Sequence, residues 1–334
     1  MEGVEEIVIA GAGLAGLATA LGLHRKGVRC VVLESSATLR ASGYAFTTWT
    51  NAFRALDALG VGDKIREHHL LYERLVAFSA STGEAAAKVS LKMQGKSGPH
   101  EIRCVKRNFL LETLENELPE GTIRYSSKMV AIEIEEEGNV KLLHMADGST
   151  IRANVLVGCD GVNSVVARWL GLPKPILSGR SATRGLAEYP DGHGFGPEML
   201  QFIGQGFRSG VLPCSDTSVY WNFTCEMSEV VLSPLRFRSP LALVRGSICR
   251  GGVCVAGDAF HPMTPGLGQG GCAAVEGGAK ERRWRAIRLV TAAYVVGFVQ
   301  QSSNPAIKFL REKFLSGLLA RVMVDMADYD CGKL

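Results

Sequence analysis

A glycine-rich turn between a predicted strand and a predicted helix constrains the fold of this chain more than any other feature. The strand runs from Glu6 to Ala10, the turn is Gly11-Ala12-Gly13-Leu14-Ala15-Gly16, and the helix continues to Lys26. A second strand, Val28 to Leu33, ends immediately before Glu34. Strand, glycine turn, helix and strand in this order predict a βαβ unit of an α/β fold.

The three glycines and the acidic residue each have a physical role in such a unit. Gly11 permits the tight turn, Gly13 lets a phosphate approach the backbone, and Gly16 lets the helix pack closely on the strand. The N-terminus of the helix offers unpaired N–H groups and a positive dipole end to a pyrophosphate. Glu34 is placed to accept hydrogen bonds from a ribose diol. The pattern predicts a dinucleotide site, although a binder of NAD would look the same as far as Glu34.

The composition is that of a folded chain of roughly two domains. Of its 334 residues, 46% are hydrophobic and 21% are charged. A net charge of +4 over this length argues against a dedicated nucleic-acid binder and against disorder. The most apolar stretch, Leu289 to Val299, is interrupted by Thr291 and Gly297, so no membrane-spanning helix is expected.

The nine cysteines are an odd number, and no two of them have CxxC spacing. This usage favours free thiols in a reducing compartment over a disulfide framework, and it predicts no metal site. The N-terminus has neither the pattern of a secretory signal nor that of a transit peptide. We therefore expect a cytoplasmic location.

Two further clusters of glycine and aspartate follow predicted strands. The run Gly158-Cys159-Asp160-Gly161 comes after the strand Thr150–Val157. The pair Gly257-Asp258 comes after the strand Val253–Ala256 and leads to the glycine-rich stretch Gly266 to Gly271. Each cluster alone is compatible with an ordinary turn. Three clusters after three strands predict strand ends that converge on one ligand.

With these three motifs in order, the sequence resembles the FAD-dependent, aromatic-hydroxylase-type flavoprotein monooxygenases of the p-hydroxybenzoate hydroxylase class. More narrowly, it is similar to the plant monooxygenase 1-like proteins. The resemblance covers nearly the whole chain and implies a Rossmann-like FAD-binding domain of the glutathione reductase type. It also implies an interleaved β-sheet substrate domain and a C-terminal helical tail. The residues that it assigns to FAD binding are Gly11, Gly13, Leu14, Ala15, Gly16, Glu34, Arg40, Arg107, Asp160, Gly161, Arg168, Gly257, Asp258, Pro265, Gly268, Gly270 and Gly271.

The predicted elements divide the chain between these domains. The FAD-binding domain is expected to comprise residues 1–72, 106–176 and 246–280, the substrate domain 73–105 and 177–245, and the C-terminal helices 281–334. Part of the second FAD-binding segment is predicted as a four-stranded β-meander. Its strands are Thr122–Tyr125, Met129–Glu135, Val140–Met145 and Thr150–Val157.

The resemblance also implies the chemistry. Members of the class use NAD(P)H as a transient co-substrate and O₂ to hydroxylate a small aromatic or conjugated compound through a flavin C4a-hydroperoxide. Because the flavin carries this chemistry, no side chain is assigned a catalytic role, and His261 and Pro262 are expected to line the flavin loop. Two alternatives stay open: a flavin reductase or dehydrogenase of the same fold, and a truncated flavin-binding remnant without coupled hydroxylation.

The substrate pocket is expected under the strands of the substrate domain that face the flavin. Strand position and alternation suggest six candidate side chains. These are Gln201, Phe202, Arg208, Tyr220, Trp221 and Phe223.

Two joints are shorter than in the family. The chain passes from Cys225 to Pro234 within nine residues, and Gly277-Gly278 leads directly into a basic segment. Relatives carry further helices at both points, so the sequence predicts a shortened second half. The tail helix, Ala306 to Val324, is apolar on one face and is expected to dock on the FAD-binding domain. Weak contact with a membrane surface is the alternative for this helix.

Overall fold

Two large β-sheets with helices packed against them form the structure, which is a computed structural model. It describes residues 4–39, 44–96, 98–135, 139–226, 233–276, 283–301, 304 and 324–329. The mixed α/β architecture expected from the sequence is confirmed.

The described strands, in chain order, are β1 Glu5–Ala10, β2 Val31–Leu33, β3 Ala45–Trp49, β4 Arg74–Ser79, β5 Ala85–Ser90, β6 Gln94–Gly95, β7 Gly98–Pro99, β8 Ile102–Lys106, β9 Ile123–Arg124, β10 Met129–Ile134, β11 Lys141–Met145, β12 Thr150–Gly158, β13 Ile176–Glu188, β14 Glu198–Ile203, β15 Phe207–Pro213, β16 Ser218–Glu226, β17 Ser233–Phe237, β18 Cys249–Arg250 and β19 Val253–Val255.

The described α-helices are α1 Leu14–Arg25, α2 Thr50–Ala58, α3 Gly62–Glu67, α4 Arg107–Asn116, α5 Val165–Trp169, α6 Pro240–Arg245, α7 Gly270–Val275 and α8 Arg283–Gln301.

The first sheet has the strand order β10-β11-β12-β1-β2-β9. Strands β1, β2 and β12 run parallel, and β19 adds to the carboxyl half of β12, also in parallel. The first half of β12 instead pairs antiparallel with β11. One long strand therefore joins the parallel strands to an antiparallel meander.

The carboxyl ends of the four parallel strands lie in one row. Ala10 is paired with Leu33 on one side and with Gly158 on the other, and Gly158 is paired with Val255. Backbone hydrogen bonds extend this row past the strand ends, from Gly11 N–H to the Leu33 carbonyl at 2.7 Å among others. The glycine turn, Glu34 and both later clusters therefore emerge at the same edge of the sheet.

Two predicted strands of this sheet differ from the structure. The strand expected from Val28 begins at Val31, since the chain is still leaving helix α1 at Val28. The strand expected from Thr122 is not part of the meander. Its core, β9, pairs in parallel with β2 at the opposite edge of the sheet. The reason is that β2 has an open edge there, where Val32 N–H donates to the Thr122 carbonyl at 2.8 Å.

The second sheet has the order β17-β13-β16-β15-β14-β4-β5. All of its neighbours are antiparallel except β14 and β4, which run parallel. Leu75, Met199, Leu212 and Tyr220 are buried on one face, in a cluster that includes side chains of β3 and β8. The two-stranded ribbon of β3 and β8 therefore lies between the two sheets and shares the core of the second one.

The described part of the C-terminal tail is docked on the body of the protein. Arg285 of α8 donates two hydrogen bonds to the Glu276 carboxylate, at 2.7 and 2.8 Å. Arg54 of α2 forms an ion pair of 2.9 Å with Asp328, close to the end of the described chain. Both shortened joints, 227–232 and 277–282, and most of the predicted helix Ala306–Val324 lie outside the described residues. Across the described ranges, no helix is long and apolar enough to span a membrane.

The buried Glu276–Arg285 pair provides a test of this docking. Glu276→Ala leaves the guanidinium of Arg285, whose side chain is only 13% exposed, without its carboxylate. We expect the free energy of unfolding to fall by about 3–5 kcal/mol, the usual effect of breaking a buried pair. Urea denaturation measures this fall.

The matched control is the exposed pair of Lys92 and Glu73, whose charged atoms are 2.8 Å apart. Glu73→Ala is expected to leave the free energy of unfolding nearly unchanged, because exposed ion pairs contribute little to stability. Equal effects of the two substitutions would contradict a docking role for Arg285.

Candidate cofactor and substrate site

A cleft of about 520 Å³ opens at the edge where β1, β2 and β12 end. The residues around it include the first turn of the glycine motif, Glu34, Arg107 and the run from Cys159 to Asn163. The structure thus brings together two of the three sequence motifs, the acidic residue and the arginine at the start of α4.

Two glycines of the first motif are required by the packing of the turn. Gly11 has φ +102°, and a Cβ atom on it would lie 2.5 Å from the Cys159 carbonyl oxygen. A Cβ atom on Gly16 would lie 1.9 Å from the Gly11 carbonyl oxygen. Any side chain at either position would force the strand ends and helix α1 apart.

Gly13 differs from these two glycines because its Cβ direction is open. No atom lies within 4 Å of a Cβ built there, and its φ of −76° is available to any residue. Leu14 and Ala15, which begin helix α1, are buried behind it. The backbone of Gly13 therefore faces the cleft with nothing of the protein in front of it.

Glu34 is held in place by the backbone on both sides of the cleft. Its carboxylate accepts hydrogen bonds from Ala12 N–H at 2.9 Å and from Ser36 N–H at 2.8 Å. The side chain is almost fully buried yet forms part of the cleft wall. The acidic residue is thus fixed where the sequence predicted it, beside the glycine turn.

Asp160 has a structural task that the sequence did not reveal. Its carboxylate accepts hydrogen bonds from Val165 N–H at 2.6 Å and from the Ser164 hydroxyl. Burial raises the pKa of Asp160, while these hydrogen bonds act in the opposite direction. The side chain therefore stabilises the turn through Gly161, which has φ +79°, and presents the backbone of this turn to the cleft.

Arg168 does not line this cleft. Its exposed side chain borders a neighbouring hollow of about 400 Å³, together with Lys174, Arg236 and Arg238. Val162 and Asn163 belong to the walls of both spaces. The two spaces are therefore adjacent but distinct.

Asp258, in the third motif, lies close enough to Arg107, at the start of α4, for their charges to interact. Asp258 lies in a 3₁₀ turn, Gly257–Ala259, and its side chain is exposed although the surrounding residues are buried. Although Asp258 is reached by solvent, the protein atoms crowded around its carboxyl raise its pKa, and the charges of His261 and Arg107 lower it. Gly257 has φ +58°, and a Cβ atom there would lie 2.7 Å from the Cβ of Ala15.

The stretch from Pro265 to Gly271 forms a second wall opposite β3. Gly268 has φ +65°, and a Cβ atom on it would lie 3.2 Å from Nε1 of Trp49. At Gly271 a Cβ atom would lie 2.6 Å from the Phe46 ring, whereas Gly270 has only Met263 atoms at 3.5 Å or more. Close packing against the aromatic residues of β3 therefore explains why positions 268 and 271 are glycines.

His261, which precedes this stretch, is buried inside the protein. It is 3% exposed, stacks edge-on against Phe260, and borders neither the cleft nor the cavity described below. Burial lowers its pKa. Pro262 is also buried, and its carbonyl accepts a hydrogen bond from Arg238 N–H at 3.1 Å.

A cavity of about 120 Å³ lies between the second sheet, β3 and the 265–268 loop. Of the six candidate pocket residues, Gln201, Arg208 and Tyr220 line it. The other three, Phe202, Trp221 and Phe223, do not; strand alternation places them on the opposite face of the sheet. There Phe202 stacks on Phe78 and Phe223 on Phe207, at 5.2 and 5.3 Å between ring centroids.

The cavity wall contains two arginines and no acidic residue among its described members. Arg208 is 9% exposed, and burial followed by the charge of Arg180 lowers its pKa to about 10. It therefore remains a cation at neutral pH. Arg184, which the sequence analysis did not single out, is the second arginine of the cavity wall. Burial raises the pKa of Tyr220 in the same wall to about 12, so its phenol stays protonated.

Arg238 is a further residue that sequence reasoning missed. It is 2% exposed, and its guanidinium donates to the Ala259 and Pro173 carbonyls at 2.7 and 3.0 Å. It thereby fastens the turn of Asp258 to the segment after α5. No signal in the sequence distinguishes it from Arg236, two residues earlier. Arg40, the remaining predicted site residue, lies outside the described residues.

The second wall presents buried polar atoms that have no hydrogen-bond partner among the described residues. They are Nε1 of Trp49, Oγ1 of Thr48, Oγ1 of Thr264 and Nε2 of Gln269. Buried polar groups are normally satisfied, so Nε1 of Trp49, a residue that also lines the cavity described above, is a candidate donor to a polar ligand. In the described parts of the chain, no three His, Cys, Asp or Glu side chains are grouped as a metal site requires.

Comparison with known proteins agrees with this geometry. Residues 5–187 match the model of the FAD binding domain family. The chain is 41% identical to Monooxygenase 2 of Arabidopsis thaliana, in an alignment of 407 positions that covers 100% of this chain and 99% of the relative. Since this chain has 334 residues, the relative contains residues that have no counterpart here.

Two other similarities are more distant. The FAD-dependent urate hydroxylase of Mycolicibacterium vanbaalenii is 28% identical over 81% of this chain and 77% of the relative. The crystal structure of Klebsiella pneumoniae HpxO with FAD and uric acid superposes with a TM-score of 0.81 at 20% identity, covering 99% of both chains. The fold, the motifs and these matches lead to one conclusion: the chain belongs to the FAD-dependent monooxygenase family, and its cofactor is FAD.

Proposed function

We propose that the chain is an NAD(P)H-dependent monooxygenase that hydroxylates a small aromatic or conjugated anion. The observation that carries this proposal is the cavity between the second sheet and the 265–268 loop. It adjoins the wall expected to hold the flavin ring, and two arginines line it without a described acidic residue. When bound, FAD supplies the chemistry that activates O₂ and transfers one oxygen atom to the substrate.

The residues of the first cleft are placed to hold the ADP half of FAD. Gly13 leaves room for the pyrophosphate in front of the first turn of α1, whose N–H groups and dipole favour an anion. The carboxylate of Glu34 can accept the ribose hydroxyls, and Arg107 adds a positive charge to the cleft. Asp258, exposed beyond Arg107, is the acceptor for the ribityl chain.

The second wall suits the flavin ring. Trp49 Nε1 and Gln269 Nε2 are unpaired donors there, and Gly268 brings backbone close to β3. Helix α7 begins at Gly270 beside them. These donors would favour negative charge on the ring, which stabilises the reduced flavin anion.

The cavity residues define the substrate side. Arg208 and Arg184 are cations that would orient an anionic group, and Tyr220 and Gln201 offer hydrogen bonds. The small volume excludes a polymer or a long lipid chain. The positive charge of these two side chains favours an anionic compound over its neutral analogue.

The hollow beside Arg168 is suited to the nicotinamide co-substrate. Arg168, Lys174 and Arg236 are exposed around it, and no acidic residue is among its described lining. Arg236 donates to the Asn163 side chain at 3.1 Å, which orients it toward the wall shared with the FAD cleft. These three exposed cations favour the phosphates of NAD(P)H.

Oxygen incorporation tests the proposed reaction. With anionic ring compounds, NADPH or NADH and ¹⁸O₂, we expect O₂ consumption and one labelled oxygen atom in the product by mass spectrometry. Neutral analogues of the same rings are expected to be poor substrates. Oxidation of NAD(P)H with an artificial acceptor and no labelled product would favour the reductase alternative. Peroxide release without labelled product would favour the remnant.

Substitutions of Gly13 and Gly16 distinguish a loss of cofactor binding from a loss of folding. Gly13→Val fills the open space of the cleft without a clash in the protein, so we expect a folded chain with FAD affinity reduced at least about tenfold, a loss of about 1.4 kcal/mol. Flavin absorbance and titration measure the affinity, and circular dichroism measures the fold.

Gly16→Val is the contrasting variant, and it is expected to lose the fold itself. The placement of the pyrophosphate would be wrong if Gly13→Val retained FAD with the affinity of the unsubstituted protein.

Arg236→Ala tests the placement of the nicotinamide co-substrate. We expect KM for NAD(P)H to rise about tenfold or more, as for the loss of a charge-assisted hydrogen bond, with FAD content unchanged. Steady-state oxidation of NAD(P)H measures KM. Arg74→Ala, which removes an exposed arginine from β4 in the other sheet, is the control and should leave KM unaltered. An unchanged KM in Arg236→Ala would exclude this hollow.

A further inference from the structure

A cysteine pair lies across the hairpin of β18 and β19. Cys249 and Cys254 are directly opposite each other in the antiparallel register, next to the closing pair Arg250 and Val253. The turn between them is Gly251-Gly252, with φ of +56° and +78°. Two successive left-handed residues produce the tight two-residue turn that fixes this register.

The register places the two cysteines at a position where their side chains are close. Val255 N–H donates to the Ile248 carbonyl at 3.2 Å, so the hydrogen-bonded pairs lie on either side of the cysteines. Directly opposed residues at such a non-hydrogen-bonded position have Cα atoms about 4.5 Å apart. This separation lies within the range that a disulfide spans. The Cys249 thiol is close enough to contribute, after burial, to the raised pKa of Cys254.

The two thiols differ in accessibility. Cys249 is exposed, and Cys254 is partly buried. Burial raises the pKa of Cys254 to about 12, so the Cys254 thiol keeps its proton at neutral pH. Neither residue belongs to the FAD cleft, the substrate cavity or the basic hollow.

We propose that Cys249 and Cys254 are a peroxide-reactive dithiol that closes reversibly to a disulfide. The Cys249 thiolate attacks hydrogen peroxide: an S–O bond forms, the O–O bond breaks, and hydroxide leaves and becomes water. The Cys254 sulfur then attacks the sulfenic sulfur, the S–S bond forms, the S–O bond breaks, and the Cys254 proton leaves with the hydroxyl as water. Two thiols and one peroxide thus give one disulfide and two waters.

The position of the hairpin gives the disulfide a structural consequence. Strand β19 pairs with β12 and continues directly into the 3₁₀ turn that carries Asp258. Strand β18 pairs with β19 at the outer edge of the sheet. Closing the disulfide fastens this edge strand to the strand that ends at the proposed ribityl acceptor.

Tryptic mapping tests the proposal on the full-length protein. Trypsin cleaves after Arg250, so the two cysteines separate into the peptides 246–250 and 251–280. After one equivalent of hydrogen peroxide and alkylation, we expect these peptides to be joined, and dithiothreitol to release them. Cys249→Ser is expected to abolish the joined species, and Cys254→Ser to leave Cys249 as a dimedone-reactive sulfenic acid.

The chain contains a matched internal control. The thiols of Cys104 and Cys214 are also close enough for each to shift the pKa of the other, but both residues are 0% exposed. We expect this pair to remain reduced under the same treatment. The proposal is wrong if Cys249 stays fully alkylatable, if it proceeds to sulfinic acid without a link, or if it joins a second chain instead of Cys254.

Discussion

The row of four parallel strand ends is the constraint on which the rest of the structure depends. Ala10, Leu33, Gly158 and Val255 are in register, so every loop that follows them emerges at one edge of the sheet. Gly11 and Gly16 let these loops approach within distances that no side chain would permit. The shape of the cleft that we propose for FAD is thus set by backbone packing, and the side chains around the cleft complete the site.

Those parts of the site that depend on the local backbone could be predicted from the sequence. The glycine turn, its helix and Glu34 lie where their spacing indicated, because each requirement concerns neighbouring residues. The convergence of the three clusters was predictable for the same reason, since parallel strands end at one edge.

The parts that depend on tertiary packing could not be predicted in this way. Asp160 caps helix α5 through Ser164 and Val165, a role that its Asp-Gly motif does not reveal. Of six candidate pocket residues, Phe202, Trp221 and Phe223 belong to the wrong face, because alternation gives two faces but not which one is inward. Arg184 and Arg238 matter only through the segments that they meet in space.

The measurement that tests the account most directly is a crystal structure of the protein with FAD. The account predicts the adenosine ribose at Glu34, the pyrophosphate in front of Gly13, and the flavin ring between β3 and the 265–271 loop, with its reactive edge toward Arg208. A flavin ring bound in the hollow of Arg168 and Arg236, or an adenosine away from Glu34, would contradict it.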